Sequence, residues 1–397
     1  MDISFHYFAV KTVARAAGLN EKRAQRIAEY SQFIDDYNQF AYTFAKKIPS
    51  YVKAPELDIV YNETLKIINP VTTGFYTWDD YVLIASPRQQ RLTVVPYHFI
   101  PMNEQKMKKE NDWRTVPATL NNGSYIADEL KDLKNDIAKG TINENDALMK
   151  SGMLLHTFAD THAHQLFTGF LTPYNSASLV SAFDNITGKD ITKEAQYWID
   201  KFLSIIKKFI PVPTIGHMIL GHVPDLTHIS FEMKYKGSDG KIHHHTRSNT
   251  EVFANVCKLL YDYLKDLPYA TETPTPWNEL EPLIAKGLLV NAVKELEENE
   301  KNAVKKLTEH WSKIFNYNYE YSSDKIRNSF VNANAPLEVM TVELDGQTVN
   351  LIGTDYSDEF FKYNLFADKH LVKLYGPKPR SWFSAENIEF YDFPVFD

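Results

Sequence analysis

Apolar residues recur at helical spacing along most of the chain. Near the N-terminus this spacing predicts a helix over residues 3–18 that ends at Gly18, and Asn20 then caps a second helix that runs to about Tyr37. The pattern predicts five further helices of similar kind. These five helices cover residues 124–139, a segment from Asn143 or Asn145 through Phe158, and residues 192–210, 250–266 and 291–316. Nearer the C-terminus, the helical pattern resumes at residues 357–374.

Two parts of the chain depart from this helical pattern. Residues 50–120 are irregular and aromatic, with strand-like pieces at Tyr81–Ala85 and Leu92–Val95. Farther on, Val342–Leu344 and Thr348–Leu351 flank an Asp-Gly pair, which is a strong hairpin signal. The sequence therefore predicts a mainly α protein with long loops and a small β-hairpin near the C-terminus.

Composition narrows the class of protein. The chain has 397 residues, of which 44% are hydrophobic and 24% charged, so wholesale disorder is excluded. A formal net charge of −8 disfavours a protein that coats nucleic acid. The single cysteine, Cys257, excludes an intrachain disulfide and a cysteine-based zinc site.

The N-terminus carries no basic segment followed by an apolar run, and no stretch is apolar enough to span a membrane. These absences predict a cytoplasmic protein without a transmembrane span, although non-classical secretion would leave no mark that the sequence reveals.

The histidines form the most informative pattern. In the segment LLHTFADTHAHQLF, His156, Asp160 and His164 are four residues apart, so their side chains share one face of a helix. His162 lies two residues from both Asp160 and His164 and points away from this face. Such a stripe can ligate one or two divalent metals, and an unpaired carboxylate in an apolar helix would be costly. A polar stripe of core histidines bonded to their neighbours is the alternative.

Other segments offer candidate ligands of the same chemical type. Zinc takes histidine nitrogen and carboxylate oxygen, and separate segments of a chain normally supply its ligands. Each candidate also has a structural explanation; His98, for example, lies between Pro96 and Pro101, which hold the backbone extended. The candidates are Asp2 and His6 in the first helix, Asp35 and Asp36 at the end of the second, His98, and His217, His222 and Asp225 in IGHMILGHVPD.

The remaining histidines and one polar pair have simpler explanations. His243–His245 follow a Gly-Ser-Asp-Gly turn and predict a surface hairpin, whereas three other histidines are assigned structural roles: His228, His310 and His370. Arg247 and Asn249 could contact a phosphate or cap the helix beginning near Thr250, and capping is favoured for Asn249.

The order of these residues resembles that of the zinc-dependent phospholipase C and P1-type nuclease superfamily, an all-helical fold that holds three zinc ions. The phrases FHY, SQFIDD, PYHFIP, LHTFADTHAHQ and IGHMILGHVPD also resemble an uncharacterised bacterial family with the same ordered motifs, over most of residues 1–250. The implied ligands are His6, Asp35 or Asp36, His98, His156, Asp160, His164, His217 or His222, and Asp225. The superfamily exposes its first ligand by signal-peptide cleavage, and Asp2 would replace that amine here.

The resemblance implies hydrolysis of a phosphoester by metal-activated water, with two or three zinc ions; iron or manganese suits the same ligands. Asp35 and Asp36 are the implied general bases, and Asp160 would bridge or ligate the metal. A phospholipase C-like hydrolase, with a phospholipid as one candidate substrate, is therefore predicted. A nuclease or nucleotidase on the same metal core and a non-catalytic, metal-stabilised binding protein are the alternatives.

The predicted domain organisation follows from the same assignment. A helical, metal-binding catalytic domain would cover residues 1–310. A C-terminal extension over residues 311–397, with the β-hairpin and one helix, would pack on it.

Overall fold

The computed structural model describes residues 1–39, 41–75, 86–103, 105–109, 112–207, 215–237, 239–344 and 346–377. About half of these residues are helical, and the β-sheets are small and separate, so the prediction of a mainly α protein is confirmed. The predicted strand at Tyr81–Ala85 lies outside the described residues. Among the helices that are described, none is long and apolar enough to cross a membrane.

The chain divides into two compact units. The first comprises the described residues within 1–34 and 81–321, and the second comprises those within 35–80 and 322–393. The division thus falls after Tyr321 rather than after residue 310, and the described residues within 35–80 belong to the same unit as those that follow Tyr321.

The first unit is built mainly from helices. The N-terminal helix begins as a π-helix over Ser4–Ala9 and continues as an α-helix over Val10–Ala16. The central helix, Glu144–Ala163, follows the helix Tyr125–Lys139. The other helical segments that begin in this unit are Glu21–Asp36, Pro87–Gln89, the π-helices Gln90–His98 and Gln105–Lys109, Pro173–Asn175, Thr192–Ile206, Met218–Leu220, Asn249–Lys265, Trp277–Leu288, Val293–Glu298 and Glu300–Phe315.

Side-chain caps fix where several of these helices begin. Ser124 accepts a hydrogen bond from Ala127 N, and Asn143, rather than Asn145, accepts one from Asp146 N at the start of the central helix. Asn299 caps Glu300–Phe315 in the same way, and so divides the helix that was predicted over residues 291–316.

A π-helix replaces one predicted strand. Leu92–Val95 lie within the π-helix Gln90–His98, and His98 is its last residue rather than part of an extended segment. The wider ring is visible at the end of the helix, where Phe99 N donates to Val94 O at 3.1 Å. The prediction of extended backbone around His98 is therefore wrong.

A four-stranded antiparallel sheet completes the first unit and was not predicted. Its strands, in spatial order, are Lys189–Asp190, Ala177–Asp184, Ile229–Lys236 and Ile242–Ser248. The outer strand Ile242–Ser248 carries His243–His245, so the predicted surface hairpin is one side of this sheet.

The second unit combines small sheets with helices. Thr43–Phe44, Val60–Asn62 and Ile67–Ile68 form a three-stranded sheet. The predicted C-terminal hairpin is confirmed, with strands Glu338–Leu344 and Gln347–Gly353. The helical segments of the second unit are Ser50–Val52, Ser323–Ser329 and Asp358–Tyr375. A small hydrophobic core in this unit contains Phe44, Ile67, Val342 and Leu351.

Candidate metal centre

The centre is built on the last two turns of the central helix. His156 and Asp160 are fully buried there, and His164 is the residue that ends the helix. The Oδ2 atom of Asp160 lies 3.3 Å from His156 Nε2 and 3.6 Å from His164 Nδ1. The four-residue spacing therefore places the two imidazoles around one carboxylate, as expected for one face of a helix.

A first group of potential ligands joins the central helix to the N-terminal helix. It consists of His6, His156 and Asp160, whose ligand atoms all lie within 4.8 Å of one another. His6 Nε2 is 3.0 Å from Asp160 Oδ1, and the rings of His6 and His156 stack at 3.8 Å between centroids. Phe5 contacts Phe253 of the helix Asn249–Lys265, which holds this part of the N-terminal helix in place.

A second group of potential ligands joins the end of the central helix to the loop before the strand Ile229–Lys236. It consists of His164, His217 and Asp225. Asp225 Oδ1 lies 3.1 Å from His164 Nε2, and Asp225 Oδ2 lies 3.3 Å from His217 Nε2. His222, the other histidine of this loop, is exposed and its ring contacts Phe202.

Two further nitrogen groups lie beside these ligand groups. His98 Nδ1 lies 3.2 Å from Asp160 Oδ2 and 3.3 Å from His156 Nε2. The α-amino group of Met1 is 2.7 Å from Asp160 Oδ1 and 3.3 Å from Asp225 Oδ1. The carboxylate of Asp2 accepts a hydrogen bond from Ser4 N at 3.0 Å, and its role as a metal ligand stays a prediction.

Burial sets the protonation of the centre. It lowers the pKa of His156 and of His217 to about 4, and that of His6 well below its ordinary value. Burial by itself would raise the pKa of Asp160 and Asp225, but the surrounding imidazoles and the amine of Met1 outweigh it and hold both pKa values low. Near neutral pH these groups are neutral imidazoles and ionised carboxylates, which is the state that a metal requires of its ligands.

The residues present fit a divalent cation. Zn–N bonds of about 2.0–2.1 Å place the ligands of a tetrahedral site about 3.3 Å apart. Two observed separations are close to this spacing: Asp160 lies 3.0 Å from His6, and Asp225 lies 3.1 Å from His164. The Nδ1 atom of His6 is buried and has no hydrogen-bond partner among the described residues. Histidine nitrogen with carboxylate oxygen suits zinc, iron or manganese.

The ring of Phe99 packs against His164 of the second group. Phe99 stacks on His164 at 4.4 Å between centroids, with an angle of 18° between the rings. Gly216, with φ of +55°, provides the space, because a Cβ at this position would lie 2.3 Å from Phe99 Cζ. Sequence reasoning assigned no role to Phe99 or Gly216, since only the folded chain brings them next to His164.

Arg247 and Asn249 bind backbone oxygen atoms within the fold. The guanidinium of Arg247 is buried and donates to the carbonyl oxygens of His162, Ala163 and Pro224. Ser248 rather than Asn249 caps the helix Asn249–Lys265, so the capping role predicted for Asn249 is wrong.

The remaining predicted residues are not members of these two groups. His162 Nε2 is 2.8 Å from Ala118 O, on the side of the central helix away from Asp160. Asp35 and Asp36 end the helix Glu21–Asp36 and belong to the second unit, and their role as general bases stays a prediction. On the surface, His243 and His244 pair with carboxylates of Asp239 and Glu232.

One family model matches almost the whole chain. Residues 1–373 match the model of a family described as "Family of unknown function (DUF6765)". The chain belongs to this family. Neither the curated proteins nor the solved structures contain a match. The function must therefore be inferred from the chemistry of the centre.

The two histidines of the loop provide a matched pair for testing the second group. We expect His217→Ala to weaken binding of one zinc ion by at least about tenfold, because it removes a nitrogen next to Asp225, whereas His222→Ala keeps the wild-type zinc content. Elemental analysis after dialysis against a fixed zinc concentration measures both. Zinc loss from His222→Ala alone would reverse the assignment.

Proposed function

We propose that the protein is a metal-dependent phosphoester hydrolase of phospholipase C-like type. The observation that supports the proposal most strongly is the pairing of two ligand groups at the end of one helix. Asp160 of the first group and Asp225 of the second both contact the amine of Met1, at 2.7 and 3.3 Å, so the groups are adjacent. Adjacent cation sites are typical of enzymes that cleave phosphoesters.

The two oxygens of Asp160 have different neighbours. Oδ1 lies beside His6, whereas Oδ2 lies within 3.6 Å of His98, His156 and His164. The carboxylate of Asp160 therefore contacts imidazoles of both ligand groups. His6 and His156 would hold one cation with Asp160, and His164, His217 and Asp225 would hold the other.

The surroundings of the ligands would keep them in the required orientation. His164 Nδ1 lies 2.5 Å from the carbonyl oxygen of His98, and His217 Nδ1 lies 3.0 Å from that of Gly221. Because a carbonyl oxygen only accepts hydrogen bonds, these contacts favour a proton on Nδ1, and Nε2 of each ring would then bind the metal. Bound zinc would supply a water with its pKa lowered to about 7 and would polarise the phosphoryl oxygen.

The order of the motifs FHY, LHTFADTHAHQ and IGHMILGHVPD supports a phosphoester rather than a peptide substrate, because it resembles the phospholipase C and P1-type nuclease superfamily. The lipid and nucleic acid substrates of that superfamily share the phosphodiester. The substrate is therefore proposed at the level of this bond.

The test combines metal content with hydrolysis. Protein purified without a histidine tag and without chelator is expected to contain two or three equivalents of zinc. It should hydrolyse bis(p-nitrophenyl) phosphate and either phosphatidylcholine vesicles or single-stranded DNA. His156→Ala should remove both metal and activity. His310→Ala should change neither, because His310 Nε2 hydrogen-bonds with the backbone oxygens of Lys286 and Gly287 and belongs to neither ligand group.

The possible results separate the alternatives. Turnover of DNA without lipid would assign a nuclease. A full metal content without turnover of any phosphodiester would favour a metal-stabilised binding protein. Absence of zinc, with none taken up on addition, would overturn the proposal.

A further inference from the structure

Arg247 and Asn249 form a polar clamp behind the second ligand group. Arg247 lies on the strand Ile242–Ser248, and Asn249 begins the helix Asn249–Lys265. The Nε of Arg247 donates to Asn249 Oδ1 at 2.8 Å, so the two side chains orient each other. Both are buried, and their other hydrogen bonds go to backbone carbonyl oxygens.

The clamp connects the two segments that supply the second ligand group. Arg247 Nη1 donates to His162 O at 3.0 Å and to Ala163 O at 2.8 Å, in the turn directly before His164. Arg247 Nη2 donates to Pro224 O at 2.7 Å, directly before Asp225. One guanidinium thus binds the residues preceding two ligands of the same group.

Asn249 binds the same loop through its side-chain amide. Its Nδ2 donates to Val223 O at 2.9 Å and to Leu226 O at 2.8 Å, on either side of Asp225. Together the two side chains bind the carbonyl oxygens of three residues next to Asp225, which are Val223, Pro224 and Leu226. This arrangement fixes the backbone from which the carboxylate of Asp225 projects.

The first ligand group has a different kind of support. His6, His156 and Asp160 all lie within helices, so backbone hydrogen bonds of those helices hold them in place. In the second group, His217 and Asp225 lie in the loop between Ile215 and Ile229, where most of the backbone hydrogen bonds are those of short turns.

We infer that Arg247 and Asn249 are positioning residues for the second ligand group, and that the two metal positions therefore differ in what they require of the fold. This inference rests on the proposed metal centre. It adds that the second position depends on the clamp and that the first does not. Removal of the clamp should therefore convert a centre with both cations into one that keeps the first cation only.

The experiment compares zinc affinity at the two positions. Arg247→Met keeps a long side chain but removes the donors, and we expect one zinc equivalent to bind about 10–100-fold more weakly while the other is unchanged. Asn249→Asp is the second variant, because it keeps the acceptor for Arg247 Nε and loses the donors to Val223 O and Leu226 O. Arg23→Met is the matched control, since Arg23 binds Glu144 and Tyr269 O at the opposite end of the central helix.

Cobalt substitution distinguishes positioning from general loss of structure. The cobalt absorption lost in Arg247→Met should match that lost in His217→Ala and differ from that lost in His6→Ala. Circular dichroism establishes which variants fold; should Arg247→Met be unfolded, Asn249→Asp decides.

Wild-type metal content with unchanged affinities in a folded clamp variant would overturn the inference and leave the proposed function intact. Equal weakening of both positions would also overturn it, because the clamp would then support the whole centre. A wild-type protein that binds no metal would overturn the proposed function and this inference together.

Discussion

Replacing Asp160 with asparagine is expected to remove metal, activity and stability together. The variant keeps the shape of the side chain but removes the charge that lies 2.7 Å from the amine of Met1 and 3.0 Å from His6. Because Asp160 contacts nitrogen groups on both of its oxygens, we expect metal content to fall at both ligand groups and phosphodiesterase activity to fall to background. Elemental analysis and hydrolysis of bis(p-nitrophenyl) phosphate measure the two effects.

The same substitution should also lower stability. Breaking a buried ion pair by removing one partner reduces the free energy of unfolding by about 3–5 kcal/mol. Asp146→Asn is the matched control, because Asp146 lies in the first turn of the same helix and accepts a hydrogen bond from Asn143 at 2.9 Å. Full metal content in Asp160→Asn would show that this carboxylate is not a ligand.

Metal removal should have a large effect on the stability of the protein. A ligand that binds only the folded state, at 100 times its dissociation constant, raises the free energy of unfolding by about 2.7 kcal/mol. A chelator should therefore lower the midpoint of thermal unfolding at pH 7.5, and added zinc should restore it. An unchanged midpoint in a sample that has lost its metal would mean that the centre does not contribute to folding.

The metal-free protein should also be sensitive to acid. The pKa values of His156 and His217 in the folded chain are about 4, below the ordinary value of 6.5. Between pH 6.5 and 4 the unfolded chain therefore binds more protons than the folded chain, and stability falls as pH decreases through this range. The free energy of unfolding of the chelated protein should therefore be lower at pH 5.5 than at pH 7.5, which denaturant titrations at the two pH values measure. Equal free energies of unfolding would contradict the prediction.

The features that the sequence predicts well are local ones. His156, Asp160 and His164 share a helix, so their separation along the chain determines their relative positions. The hairpin between Glu338–Leu344 and Gln347–Gly353 was predicted for a similar reason, because one short turn sets its register.

The features that the sequence left open depend on distant contacts. His217 and His222 have the same chemistry and lie in one loop, and the loop conformation alone decides that His217 lies beside Asp225. The π-helix Gln90–His98 was predicted in part as a strand, because Leu92–Val95 has β-branched residues and Pro96 argues against a regular helix. Asp225 and the carbonyl oxygens bound by Arg247 come together only when the sheet and the central helix meet.

The π-helical segments have a consequence for chain length. His6 lies within the π-helix Ser4–Ala9, and His98 ends the π-helix Gln90–His98, so both histidines that approach Asp160 from other helices lie on widened turns. A π-helix contains an extra residue relative to an α-helix, and each residue of an α-helix turns the chain by about 100°. Deletion of one residue from Ser4–Ala9 would restore α-helical spacing and turn His6 away from Asp160. The number of residues in Ser4–Ala9 is therefore part of what places His6 beside Asp160.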